Sequence, residues 1–170
     1  MPHIPPLSNE ESGQARASIE ALQTKLGQVP NMYRTFAHSP RVLDAAVSMA
    51  QAIRTDLDAK LRELAYLKVT QITDCYVCWH YHEAAARRVG VTDPQLRGLG
   101  SFEDSDVYTP LEKDILRFAE QWTLSGRIAD DVMARLKAAL SPAHLVLLAA
   151  TTAQANFTTR FNNVFGVELP

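Results

Sequence analysis

Cysteine is scarce in this chain, two residues among 170, which excludes a disulfide-stapled scaffold. Glycine is scarce as well, with seven, leaving few residues for the tight hairpin turns of a multi-stranded β protein. No stretch alternates apolar and polar residues convincingly, and none approaches the about 20 apolar residues that span a bilayer. Charge of one sign is not in excess: the net charge of −2 provides no field for nucleic acid or an anionic membrane. The opening MPHIPPLSNEES has neither the basic end nor the apolar run of a secretory signal. Together these absences predict a cytoplasmic protein, where paired cysteines point to redox chemistry or metal rather than a structural disulfide.

What is present fits one domain over residues 1–170: the hydrophobic fraction is 46% and the charged fraction 21%. Pro2, Pro5 and Pro6 predict that residues 1–10 form an extended N-terminal arm. Ser39-Pro40, Thr109-Pro110 and Ser141-Pro142 read as helix starts, a capping hydroxyl followed by proline at the first helical position. Glu112 completes a capping box with Thr109, and Asp93-Pro94 marks a shorter start. Apolar residues then recur at helical spacing: Val42, Leu43, Ala46, Val47, Ala50 and Ile53; Leu111, Ile115, Phe118, Ala119 and Trp122; Leu145, Leu148, Ala149 and Thr152. Residues 61–73 and 128–140 carry two more helices. The predicted fold is an all-α helical bundle.

Both cysteines fall in DCYVCWHYHEAAARR, residues 74–88. Asp74 is placed to cap a helix starting at Cys75 and ending near Gly90. At about 100° per residue, Cys75, Cys78 and His82 share one helical face, whereas His80 lies about 140° from Cys75. If the preceding helix folds back at residues 73–75, Glu63 and His82 sit at similar depths from the corner. That spacing permits a Glu63–His82–Cys78 proton relay across two helices. A thiol with a pKa of about 8.5 is only a few per cent thiolate at neutral pH, and a helix N-terminus or nearby imidazole raises that fraction. The thiolate attacks a peroxide oxygen or a disulfide sulfur, and a second thiol one turn away resolves the resulting sulfenic acid as a disulfide.

Cys-x2-Cys followed by histidines is also half of a zinc site. Structural zinc takes four ligands, however, and this helical face offers three with no second cluster in the sequence. Tyr76, Trp79 and Tyr81 could wall a pocket but suit a core or interface equally. Tyr66 and Lys68, on the Glu63 helix, could reach the site, although Lys68 reads first as an exposed cation. His144 reads as locally satisfied, and Arg160, Asn162 and Asn163 as subunit contacts or pocket lining.

The pattern Glu63-x11-Cys75-x2-Cys78-x3-His82 resembles the signature of the AhpD-type alkylhydroperoxidases, within the carboxymuconolactone decarboxylase superfamily. LGQVPNMYRTFAHSP, residues 26–40, and RFNNVFGVEL, residues 160–169, resemble its peroxidase-related members. The resemblance implies an AhpD-like bundle around a helical hairpin that carries the motif, assembled as a homo-oligomer, a trimer or hexamer. It implies that Cys78 attacks an organic hydroperoxide or hydrogen peroxide, and that Cys75 is the resolving, more exposed thiol. Glu63 and His82 would form the proton relay. No metal or other cofactor is implied, and electrons would come from a dithiol donor such as a lipoyl protein or a thioredoxin-like protein. Helix-dipole reasoning alone favours Cys75 as the more acidic thiol, while the i,i+4 spacing to His82 favours Cys78. The sequence departs from the best-known alkylhydroperoxidases at Val77, where they carry a second histidine.

Two other classes of function stay open on the sequence. One is cofactor-free, decarboxylase-type chemistry on a small lactone or acid through Glu63 and His82, with the cysteines incidental. The other is a non-enzymatic redox-sensing or metal-binding protein.

Overall fold

In the computed structural model, which describes residues 1–170, every regular element is helical. The nine α-helices are α1 (Arg16–Leu26), α2 (Asn31–Phe36), α3 (Pro40–Ala52), α4 (Ala59–Ile72), α5 (Tyr76–Arg88), α6 (Asp93–Gly98), α7 (Pro110–Ser125), α8 (Asp130–Ala139) and α9 (Pro142–Phe165). Short 3-10 stretches precede α1 and follow α6. The three Ser/Thr-Pro starts fall where expected, at α3, α7 and α9. At α7 the capping box is complete: the Thr109 amide donates to Glu112 Oε2 at 2.8 Å, and the Glu112 amide to Thr109 Oγ1 at 3.2 Å. The fourth start is capped by Thr92 rather than Asp93, because Gln95, three residues on, closes a capping box with the threonine.

The chain divides into two compact units. The first comprises Met1–Ala52 and Phe161–Pro170. Its core joins Ile19, Val29, Phe36, Leu43 and Ala46, with Phe161 packed tilted on Phe36 at 4.2 Å between centroids. Residues 1–10 contain no helix and are tied to this unit. The His3 amide donates to Phe165 O at 2.8 Å, and the Met1 ammonium sits 3.0 Å from Glu168.

The second unit, Ile53–Arg160, is organised by α4, which packs on α5 and α7, while α8 packs on α7. Ala65, Tyr66 and Val69 enter a core with Ile115, Phe118, Leu136, Leu148 and Ala155. Leu64 and Leu67 enter another, with Ala86, Leu96, Leu99, Phe102 and Leu116. Serving both, α4 is buried continuously from Glu63 to Thr70. Lys68 is therefore not the exposed cation its residue type predicts. It is 3% exposed, its Nζ 2.9 Å from Glu120 and 4.7 Å from the Phe102 ring centre.

The corner between α4 and α5 also departs from expectation. Asp74 does not cap α5; Cys75 occupies that position, its Sγ accepting from the Cys78 amide at 3.3 Å. Asp74 instead closes α4. It alone among non-glycine residues has positive φ, 51°, and its amide donates to Gln71 O while the Cys75 amide donates to Thr70 O. This is a Schellman motif with aspartate where glycine is usual, and it reverses the chain in the few residues available. Asp tolerates left-handed backbone better than most residues. We expect Asp74→Gly to raise the urea midpoint or leave it unchanged, and Asp74→Val to cost about 1–2 kcal/mol in equilibrium unfolding.

Candidate functional site

α4 delivers Glu63 to the interior, where its residue is 3% exposed. A carboxylate buried there needs partners for its charge and its oxygens. His82, from α5, donates from Nδ1 to Oε2 at 2.7 Å. The neighbouring Arg62 guanidinium approaches Oε1 at 3.4 Å. Burial pushes the Glu63 carboxyl up, but the hydrogen bond and charge of His82, together with Arg62 and Arg54, hold it below its ordinary value of 4.5. With Nδ1–H committed to Glu63, Nε2 is the nitrogen left to take a proton.

One face of the His82 ring is covered by Tyr66. Their centroids are 3.5 Å apart and the rings are 12° from parallel. The Tyr66 hydroxyl is hydrogen-bonded to Thr158 of α9. Tyr66 lies one turn beyond Glu63 on α4, so its place beside the site was open to inference from spacing. Thr158 was not: it is one of four threonines in α9, and nothing in the sequence ties it to α4.

Cys75 and Cys78 form a disulfide across the start of α5, with Cα atoms 5.3 Å apart. Cys78 stands one helical turn before His82 on the same helix. Cys75 is not the more exposed thiol: it is 2% and Cys78 5% exposed. As the cap of α5, Cys75 turns its sulfur inward over the first turn instead of out to solvent. Val77 is likewise buried.

The other candidates lie apart from this group. His80 is exposed, its ring edge-on to Tyr81. The Trp79 indole N–H donates to Glu83 at 3.0 Å, and Tyr76 is exposed. His144 receives Ser141 Oγ as acceptor for its backbone amide. Arg160 bonds to Asn156 on its own helix, and Asn162 is buried in the first unit. No three His, Cys, Asp or Glu side chains are gathered to hold a metal ion, and no helix is long and apolar enough to cross a membrane.

Residues 40–121, from α3 into α7 and including all four motif positions, match the carboxymuconolactone decarboxylase family. The fold matches that of an alkylhydroperoxidase AhpD core, an uncharacterized peroxidase-related protein from Ralstonia eutropha JMP134. The TM-score is 0.81 at 21% identity, covering 98% of this chain and 93% of that one. The fold is AhpD-like, and the carboxymuconolactone decarboxylase match spans the helices that carry the motif. The fold also resembles that of the debrominase Bmp8, with a TM-score of 0.81 at 20% identity over 98% of this chain and 91% of Bmp8. A cysteine-to-alanine variant of Bmp8 has been seen in complex with 2,3,4-tribromopyrrole. In sequence it is 28% identical over 115 residues to the uncharacterized protein YdfG of Bacillus subtilis (strain 168), covering 66% of this chain and 78% of YdfG.

The lowered Glu63 pKa has a consequence for stability. Glu63 keeps its charge to lower pH in the folded chain than in the unfolded chain. Its contribution is therefore present above the ordinary value of 4.5 and is lost as pH falls through the folded value. Urea unfolding at a series of pH values should show the wild type losing stability below that point more steeply than Glu63→Gln; parallel acid limbs would contradict this.

Proposed function

We propose that this chain is a thiol-dependent hydroperoxide reductase that uses Cys75 and Cys78 as its dithiol. The observation that carries this reading is the buried Glu63–His82 hydrogen bond at 2.7 Å, with Cys78 one turn away on α5 and already paired with Cys75. His82 takes the Cys78 thiol proton at Nε2, and Glu63 stabilises the imidazolium so formed. The Cys78 thiolate attacks one peroxide oxygen, the O–O bond breaks, and the departing alkoxide takes the proton from His82. Peroxide becomes alcohol, and Cys78 becomes a sulfenic acid. Cys75 then attacks the Cys78 sulfur, water leaves, and the disulfide forms; two electrons have passed from the dithiol to the peroxide. A dithiol donor, a lipoyl or thioredoxin-like protein, returns them by thiol–disulfide exchange. The proposed enzyme works as a homo-oligomer, without metal or organic cofactor. Burial of both sulfurs suits a slim oxidant such as a peroxide.

The likeness to Bmp8 supports a second reading of the same dithiol. Its two electrons, with a proton, could convert an aryl C–Br bond to C–H and bromide. The decarboxylase-type reading, by contrast, uses Glu63 and His82 alone and predicts turnover that survives loss of both cysteines.

The test begins with reduced protein and one equivalent of organic hydroperoxide, with hydrogen peroxide in parallel, followed by intact mass and peptide mapping. We expect rapid Cys75–Cys78 disulfide formation, abolished in Cys78→Ser and slowed by about 10²-fold in Glu63→Gln. Thiols that stay reduced would overturn the peroxidase reading. Bromide release from 2,3,4-tribromopyrrole by the same reduced protein would then favour dehalogenation.

A further inference from the structure

We propose that Tyr66 is a positioning residue for His82, fixing the plane and tautomer of the imidazole so that Nε2 is the atom that exchanges protons at the dithiol. The inference rests on the relay reading of Glu63 and His82 given above and assigns to that relay a third member. A single hydrogen bond at Nδ1 restrains the ring in its own plane but leaves it free to tilt and swing about the bonded atom. The Tyr66 ring removes that freedom: at 3.5 Å between centroids and 12° from parallel, it lies flat against one imidazole face. Both restraints come from α4, Glu63 acting in the ring plane and Tyr66 perpendicular to it, one helical turn apart.

Tyr66 is itself held. Thr158 Oγ1 donates to Gln154 O at 2.9 Å, which spends the only hydroxyl proton it has. Its contact with Tyr66 must then be one in which the phenol donates and Thr158 accepts. The phenolic proton therefore points into α9, which makes Tyr66 a fixed platform rather than an acid. The residue is 7% exposed, so its ring has little room to leave the stack. Imidazole in water prefers to carry its proton on the other nitrogen. Keeping it on Nδ1 needs a ring that stays aligned with the Glu63 carboxylate, and the stack supplies that alignment.

A side chain that only filled the core at this position could be replaced by another apolar one without changing the state of His82. The test compares wild type, Tyr66→Phe and Tyr66→Leu, all oxidised and ¹⁵N-labelled, by long-range ¹H–¹⁵N spectra of the imidazoles. The His82 signals are assigned by their loss in His82→Gln. Wild type and Tyr66→Phe should both show the Nδ1–H tautomer at His82, whereas Tyr66→Leu should show a mixture with Nε2–H. In single-turnover oxidation of the reduced proteins, Tyr66→Leu should be about tenfold slower and Tyr66→Phe within about threefold of wild type. A Tyr66→Leu protein that keeps the wild-type tautomer overturns the proposal, whatever its rate. If wild-type dithiol does not react with hydroperoxide, the peroxidase reading falls, and the tautomer comparison still decides the role of Tyr66. Far-UV circular dichroism checks the fold of each variant. If the leucine protein does not fold, Tyr66→Met, which keeps more of the volume but presents no ring face, takes its place under the same criterion.

Discussion

A carboxylate enclosed by protein is expensive unless its charge and lone pairs are met, at an effective cost of several kcal/mol when they are not. Glu63 is in that position, and its hydrogen bond to His82 joins α4 to α5 at the depth where the motif residues gather. The contact requires the hairpin to hold its register. Sliding α5 by one residue would turn His82 by about 100° and leave the carboxylate with only the longer contact to Arg62. The Schellman corner at Asp74 sets that register, because it ends α4 and presents Cys75 as the cap of α5 with no residue to spare. The corner, the cap and the buried pair thus constrain one another.

The burial of Glu63 follows from the position of α4 between two apolar clusters. A helix with one apolar stripe would leave its other residues in water; from Glu63 to Thr70 α4 has neighbours on both sides, so charged residues in that stretch are enclosed. Two such residues result. Lys68 is neutralised by Glu120 and lies over Phe102. Glu63 is met by an imidazole that can change its charge, which makes it the more consequential of the two for chemistry. The same enclosure gives electrostatic interactions at Glu63 more weight than they would have at the surface.

Much of this was legible in the sequence, for identifiable reasons. Hydroxyl-proline pairs locate helix starts because both residues act within one turn, and period 3.6 separates helix from strand over long windows. The Glu63–His82 contact could be anticipated because a helical hairpin converts sequence distance from its corner into depth. Local chemistry at the corner was misread because Asp serves both as an N-cap and as a left-handed C-terminal residue, and the two roles differ only in backbone angle. The burial of Lys68 and Cys75 depends on neighbours from α7 and on the inward turn of a capping side chain, which no one-helix pattern encodes. Thr158 is the clearest such case: its partner is 92 residues away in the chain.

The arrangement separates two tasks that chemistry of this kind requires. On the proposed reading, Glu63 and His82 manage a proton, and Cys75 with Cys78 hold or give two electrons. The proton-handling half does not depend on which bond is broken, so one frame can accommodate oxygen–oxygen, carbon–halogen or carbon–carbon chemistry. What narrows the choice in this chain is the presence of the cysteine pair and the valine between them. Val77 is buried and apolar, so no second imidazole at that position can supply or accept protons beside Cys78. On the proposed reading, proton traffic at the dithiol then passes through His82, whose Nδ1 is already bound to Glu63. A relay with one entry places a stricter demand on the orientation of that single imidazole than a relay with two, and it is the imidazole that this fold holds from the side, from the face, and through Tyr66 from α9.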